Sequence, residues 1–189
     1  MQVYFNHNQA AEYEEPYRQR RRSGDDLEQI IADSIAAATT RIDVAVQEFR
    51  LPKIAAALAE RHQAGVTVRV IVENTYSRPW SELTAAEVGE MDARMRSSYD
   101  EFILLADING DGTLSPEEIN GRDALVMLRN AGVPVIDDTA DGSKGSGLMH
   151  PSLSLLMAIQ RLSLRPISPP VIFTGTLTLL IPSVMPIIC

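Results

Sequence analysis

The run Val66-Thr-Val-Arg-Val-Ile-Val72 leaves the chain few ways to fold. β-Branched side chains are stiff at χ1 and suit a pleated surface better than a helix. No glycine or proline interrupts the run, so it predicts an interior strand. Upstream, Arg41-Ile-Asp-Val-Ala-Val-Gln-Glu48 alternates Ile42, Val44 and Val46 against Asp43 and Gln47. That is the pattern of a strand with one buried face.

Helical stretches fill the gaps between these strands. Asp25 reads as an N-cap, with Glu28 closing a capping box and Leu27, Ile30, Ile31, Ile35 and Ala38 at helical spacing. Pro52 suits the first turn of a second helix, Ile54, Ala55, Leu58 and Ala59 give it an apolar stripe, and Gly65 stops it. A further helix from about Asp123 to Asn130 ends at Gly132, and Val133-Pro-Val-Ile-Asp137 reads as another strand. Strands alternating with helices imply parallel pairing with right-handed crossovers. Val3-Tyr-Phe5 reads as a short first strand. Residues 7–24 read as a polar loop in which acidic neighbours solvate Arg18, Arg20, Arg21 and Arg22; a phosphate-contacting loop is the sharper alternative.

A 189-residue chain is long enough for one domain with a real core. Its net charge of -8 argues against a general electrostatic grip on nucleic acid. Cys189 is the only cysteine, so neither a disulfide framework nor a cysteine-rich zinc site is expected. The first residues, Met1-Gln-Val-Tyr-Phe, lack the basic-then-apolar pattern of a signal peptide.

Asn74–Trp80 breaks the strand–helix alternation, and Ser81–Ala106 reads as an inserted, largely helical segment. It leads into Asp107-Ile-Asn-Gly-Asp-Gly-Thr-Leu-Ser-Pro-Glu-Glu118, which fits the EF-hand calcium loop. Asp107, Asn109 and Asp111 occupy ligand positions 1, 3 and 5, and Gly112 permits the sharp turn at position 6. Thr113 offers its backbone carbonyl, Ser115 the often water-bridged position, and Glu118 a bidentate carboxylate. The expected cofactor is calcium. EF-hands usually occur in pairs, and only one such loop is present in the sequence. A structural calcium that pins the insertion is therefore favoured over a calcium switch.

Val133–Asp137, the glycine-rich loop Asp141-Gly-Ser-Lys-Gly-Ser-Gly147 and Leu148-Met-His150, combined with the embedded calcium loop, resemble the phospholipase D superfamily. The likeness is to bacterial phospholipase D-like proteins carrying an EF-hand insertion, and it spans Val3 to His150. It implies an incomplete α/β half-domain, formed by residues 1–80 and 121–150, with a helix–calcium loop–helix inserted at 81–120. It also implies phosphodiester chemistry on a phospholipid or a nucleic acid, with His150 as the nucleophile that forms a phosphohistidine. The family motif is His-x-Lys-x-x-x-x-Asp. Here Ser152 holds the lysine position and Met157 the aspartate position, so neither partner of His150 is supplied. The family also needs a second motif, from a dimer or a second half of the chain. His7 and His62 have no motif context, and His62 reads as a surface residue near a helix end. Little or no turnover is expected, with a non-catalytic calcium-binding protein or a non-functional truncated product as the alternatives.

Residues 151–189 contain no acidic residue, and prolines interrupt them repeatedly. The shift suggests a change of reading frame near residue 151. Moved by two nucleotides, codons for Leu156-Met157-Ala158 admit Asp-Gly and would restore the missing aspartate. The competing account takes the tail at face value. Val171–Cys189 is an uncharged stretch of 19 residues, near the length of a membrane span, although Pro182 and Pro186 weaken a helix there. Membrane association of the tail follows from that account. On either account, loss of the strand expected after His150 leaves a sheet edge unpaired.

Overall fold

The computed structural model describes residue 4, residues 9–140, residue 142 and the segments 154–158 and 176–180. Two short strands come first, β1 (Glu12–Glu14) and β2 (Arg21–Ser23), followed by helix α1 (Leu27–Ala36), strand β3 (Arg41–Val46), helix α2 (Pro52–Gln63) and strand β4 (Thr67–Val72). Two 3-10 turns, Asn74–Tyr76 and Trp80–Glu82, lead to helices α3 (Ala85–Glu90), α4 (Ala93–Ala106), α5 (Pro116–Arg122) and α6 (Ala124–Asn130). Strands β5 (Val135–Asp137), β6 (Ser154–Ala158) and β7 (Thr176–Leu180) complete the order.

The main sheet has the order β5-β4-β3-β6-β7. β3, β4 and β5 are parallel, with Ile42 opposite Val68, Val44 opposite Val70 and Val46 opposite Val72. β6 and β7 form an antiparallel pair, and β6 joins the sheet antiparallel to β3, with Ile42 opposite Met157. The fold is thus mixed α/β with helices flanking the sheet. The β-branched run Val66–Val72 is interior, with β4 bonded on both sides. Its burial nevertheless alternates: Val68, Val70 and Val72 are buried while Thr67, Arg69 and Ile71 are exposed.

That alternation reflects one-sided covering. The buried faces of β3 and β4 pack with Ile31 and Ile35 of α1, Ile54 and Leu58 of α2, and Leu125 and Leu128 of α6. Each such aliphatic side chain contributes about 1.5–3 kcal/mol when withdrawn from water. On the opposite face Asp43 accepts ion pairs from Arg41 at 2.6 Å and Arg69 at 2.7 Å, beside exposed Ile71 and Ile136.

The structure departs from the sequence-based expectations in four places. Residues 7–24 are not simply a loop: β1 and β2 pair antiparallel, with Glu12 opposite Ser23. The chain reverses at Gln19, which takes a positive φ of 53°. Asp26, not Asp25, caps α1, accepting from the Gln29 amide at 2.9 Å. Of the predicted strand Val3–Phe5 only Tyr4 is described, and it is not in a strand. Residues of the segment read as an aberrant tail enter the sheet, where an unpaired edge was expected: β6 pairs with β3. The two glycine stops hold: Gly65 and Gly132 take φ of 87° and 75°, which a side chain would strain.

Candidate metal centre

The insertion has its own core. Tyr76, Trp80, Phe102 and Ala106 are buried together, and Trp80 stacks on Phe102 at 6.5 Å between ring centroids. Tyr99 tilts against both rings, at 6.0 and 6.2 Å. Aromatic groups of this size anchor α4 by area and by ring geometry. α4 starts at Asp92, whose carboxylate caps the Met95 amide at 2.8 Å, and it ends at Asp107.

Asp107 opens a loop between α4 and α5. Gly110 and Gly112 take φ of 72° and 80°, and these turns fold the backbone amides back toward the side chains. Asp107 Oδ1 accepts from the Gly110 amide at 2.7 Å, and Oδ2 from the Gly112 amide at 2.9 Å. Asn109 Oδ1 accepts from the Asp111 amide at 2.8 Å, and Asp111 Oδ1 from the Thr113 amide at 2.8 Å. Ser115 caps α5 in a full capping box with Glu118.

Glu118 closes the loop. It is 6% exposed, covered by the loop's own backbone. Oε1 accepts from the Ile108 amide at 2.8 Å and the Asn109 amide at 3.3 Å, and Oε2 accepts from the Ser115 amide and hydroxyl, both at 2.9 Å. These donors hold the Glu118 carboxyl below its ordinary range, the Ser115 amide first among them. The Asp111 carboxyl is lowered in the same way, chiefly by the Thr113 hydroxyl.

The predicted ligands Asp107, Asn109, Asp111, Thr113 and Glu118 are therefore gathered into one short loop between two helices. Among the described residues, no three acidic, histidine or cysteine side chains converge on a common point as a ready cation cluster. The carboxylates are turned onto amides of their own loop instead. The donor set itself consists of hard oxygens, the chemistry that suits a calcium-type cation. Asp107 and Asp111 retain acceptor capacity, whereas all four acceptor sites of Glu118 are engaged. For Glu118 to serve as a bidentate ligand it must exchange amides for the ion.

Sequence reasoning placed a helix start near Asp123 but missed the work that residue does. Asp123 is 2% exposed, ends α5 and begins α6. It accepts from Leu125 at 3.1 Å, Val126 at 3.3 Å and Ser81 at 3.0 Å, all backbone amides. The only local signal was an aspartate standing before an apolar run.

Arg50, after β3, was also missed. Its Nε pairs with Glu48 at 2.8 Å, and its Nη1 donates to the Ser98 carbonyl at 3.1 Å and Glu101 at 3.0 Å. The Glu48 contact is an ion pair whose alignment falls short of a hydrogen bond, leaving that oxygen buried without one. Burial pushes the Glu48 carboxyl up, and Arg50 opposes the shift. Arg50 thus ties the loop after β3 to α4.

His150, the predicted nucleophile, and its neighbour Ser152 lie outside the described residues, as does His7. Met157, at the motif's aspartate position, is described only as part of β6. His62 is in the last turn of α2 and half-buried rather than on the open surface, with Nδ1 covered and unbonded. No helix among the described residues is long and apolar enough to cross a membrane. No family model matches the chain, and no curated protein matches it at a significant level.

Proposed function

We propose that residues 107–118 bind a single calcium ion and that the bound ion pins the helical insertion to the α/β core. The observation that carries this reading is the loop's closure. Oxygen side chains at loop positions 1, 3, 5 and 12 are drawn in by amides of one turn, between two helices. A polar surface loop has no need of a terminal glutamate folded back across its whole length. Asp107, Asn109, Asp111 and Glu118 would hold the ion by side-chain oxygens and Thr113 by its carbonyl. Because Glu118 first has to leave its amides, binding carries a local rearrangement that weakens the intrinsic affinity.

The test is calorimetric titration of the chelator-treated protein with calcium, and with magnesium in parallel. One-site calcium binding is expected, with calcium favoured over magnesium because the loop's flexibility suits the larger ion. Asp107→Ala should weaken binding by at least tenfold, and Glu118→Gln likewise. Absence of any calcium heat or spectral change at millimolar concentration would end the reading.

The likeness to phospholipase D-like proteins supports a second reading at the level of lineage. The parallel β3–β4–β5 order suits an α/β half-domain of that kind. With Ser152 and Met157 where the motif has lysine and aspartate, the reading is of a chain silent in phosphodiester hydrolysis. Hydrolysis of bis-p-nitrophenyl phosphate that disappears in His150→Ala would overturn the silence; equal background in both proteins is expected.

A further inference from the structure

A cavity of about 340 Å³ lies between the 3-10 turns that follow β4 and the start of the insertion's helices. It stands apart from the metal loop. Its lining ends at Asp92 and Met95, at the start of α4, and the 14 residues of that helix carry the chain roughly 20 Å before Asp107 is reached. Its lining is graded. Tyr76 and Trp80 are buried, Leu83, Met91 and Met95 are half-buried, and Arg78, Glu87, Glu90 and Asp92 are exposed. The floor is therefore aromatic and aliphatic and the mouth is charged. Two methionines give such a floor the adaptability to accept more than one shape.

Within the lining the charge is unbalanced, and Arg94, the cation of α4 between Asp92 and Met95 in sequence, acts on Glu48 and Tyr76. Arg78 is the one basic side chain in the lining, and Glu87 holds it at 2.6 Å. The Glu82 carbonyl accepts a second hydrogen bond from the same guanidinium. Arg96, one turn beyond Asp92, is engaged by Asp100 at 3.0 Å. Glu90 and Asp92 remain as carboxylates without an ion-pair partner among the described residues. Asp92 uses one oxygen to cap α4 and has the other free for a donor. An apolar hollow rimmed by excess negative charge selects against carboxylates and phosphates and favours a cation with a hydrophobic body.

We propose that this cavity is a binding site for a small organic amine, its body on Trp80, Leu83, Met91 and Met95 and its ammonium between Glu90 and Asp92. Arg78 is locked by Glu87 and so does not compete for those carboxylates. The aromatic floor adds favourable contact with the cation's flank.

A matched series isolates the head group: hexylammonium, hexanol and hexanoate share one body and differ in charge. Trp80 is the sole tryptophan, so its fluorescence reports occupancy of the full-length chain directly. Saturable binding of hexylammonium is expected, at least about tenfold tighter than hexanol, with hexanoate weakest. Glu90→Gln with Asp92→Asn should lower hexylammonium affinity about threefold to tenfold and leave hexanol unchanged, the range expected for charges acting through partly screened solvent. Asparagine keeps the α4 cap. Should the double variant lose its circular dichroism signature, Glu90→Gln alone, at an exposed position, carries the same comparison with a smaller change. Equal affinity for the three head groups, non-saturable binding, or carboxylate variants that bind hexylammonium as the parent does would each overturn the proposal.

Discussion

Asp123 is one of the few buried carboxylates among the described residues, and it sits where α5 gives way to α6. Three backbone amides depend on its carboxylate, two from the first turn of α6 and one, Ser81, from the 3-10 turn Trp80–Glu82. Asp123→Ala removes the cap and strands those donors in a buried site, so a loss of about 2–4 kcal/mol is expected, read as a lower urea midpoint. Asp123→Asn keeps the capping geometry and should cost about 1 kcal/mol. A second prediction concerns acid. Glu118 and Asp111 are held below their ordinary values of 4.5 and 3.8 by loop donors. Depressed carboxyls stabilise the fold fully above their unfolded values, and that stabilisation is lost as pH falls through the lower folded values. Amide exchange at Ile108 and Ser115, corrected for intrinsic rates, should be flat above about pH 5 and speed up below about pH 4. The capping box of α3 should outlast the loop, because Glu87 is pulled down to about 2, first by the Thr84 amide. Protection of Ile108 and Ser115 that persisted unchanged through this range would show that the carboxylates are not what closes the loop.

Helices and strands were legible in the sequence where period and punctuation agreed. The alternation of Ile42, Val44 and Val46 gave the buried face of β3, and Pro52 and Gly65 bracketed α2 closely. Legibility failed where period or punctuation was missing or ambiguous. β1 and β2 are three residues each and charged, so no apolar alternation marks them; their pairing comes from the intervening reversal. The shift from Asp25 to Asp26 as cap was not decidable from two adjacent aspartates, since either side chain offers the same oxygen. β6 was not legible because Ser154–Ala158 holds no β-branched residue and no apolar–polar alternation of the kind that marks β3. The turn geometry of residues 107–118 was legible because the side chains and amides that bond within it are local. The cavity at Trp80 was not, because its walls come from separate elements. Within the insertion, Phe102 is the element's anchor, 2% exposed and in ring contact with both Trp80 and Tyr99. Phe102→Ala should cost about 3–5 kcal/mol and red-shift Trp80 emission as the ring meets water. A parent-like thermal midpoint and spectrum would mean that the aromatic cluster does not hold α4.

Among the described residues there are two apolar clusters, one between the sheet and helices α1, α2 and α6, the other around Trp80. α4 links the second cluster to the metal loop, and Arg50 links α4 to the loop after β3. An ion bound only by the folded loop stabilises the fold by mass action, by about 2.7 kcal/mol at a hundredfold excess over Kd. Calcium should therefore raise the midpoint of thermal unfolding followed through Trp80, and a chelator should reverse the rise. Asp107→Ala should abolish the calcium increment while leaving the calcium-free midpoint nearly in place. An equal increment in that variant would locate the ion elsewhere.

The helix that leaves the loop and the helix that joins the sheet are separated by Asp123 alone, which caps both. Such a joint has no slack. A tilt of the first helix relative to the second has only the two backbone dihedrals of that one residue to turn about.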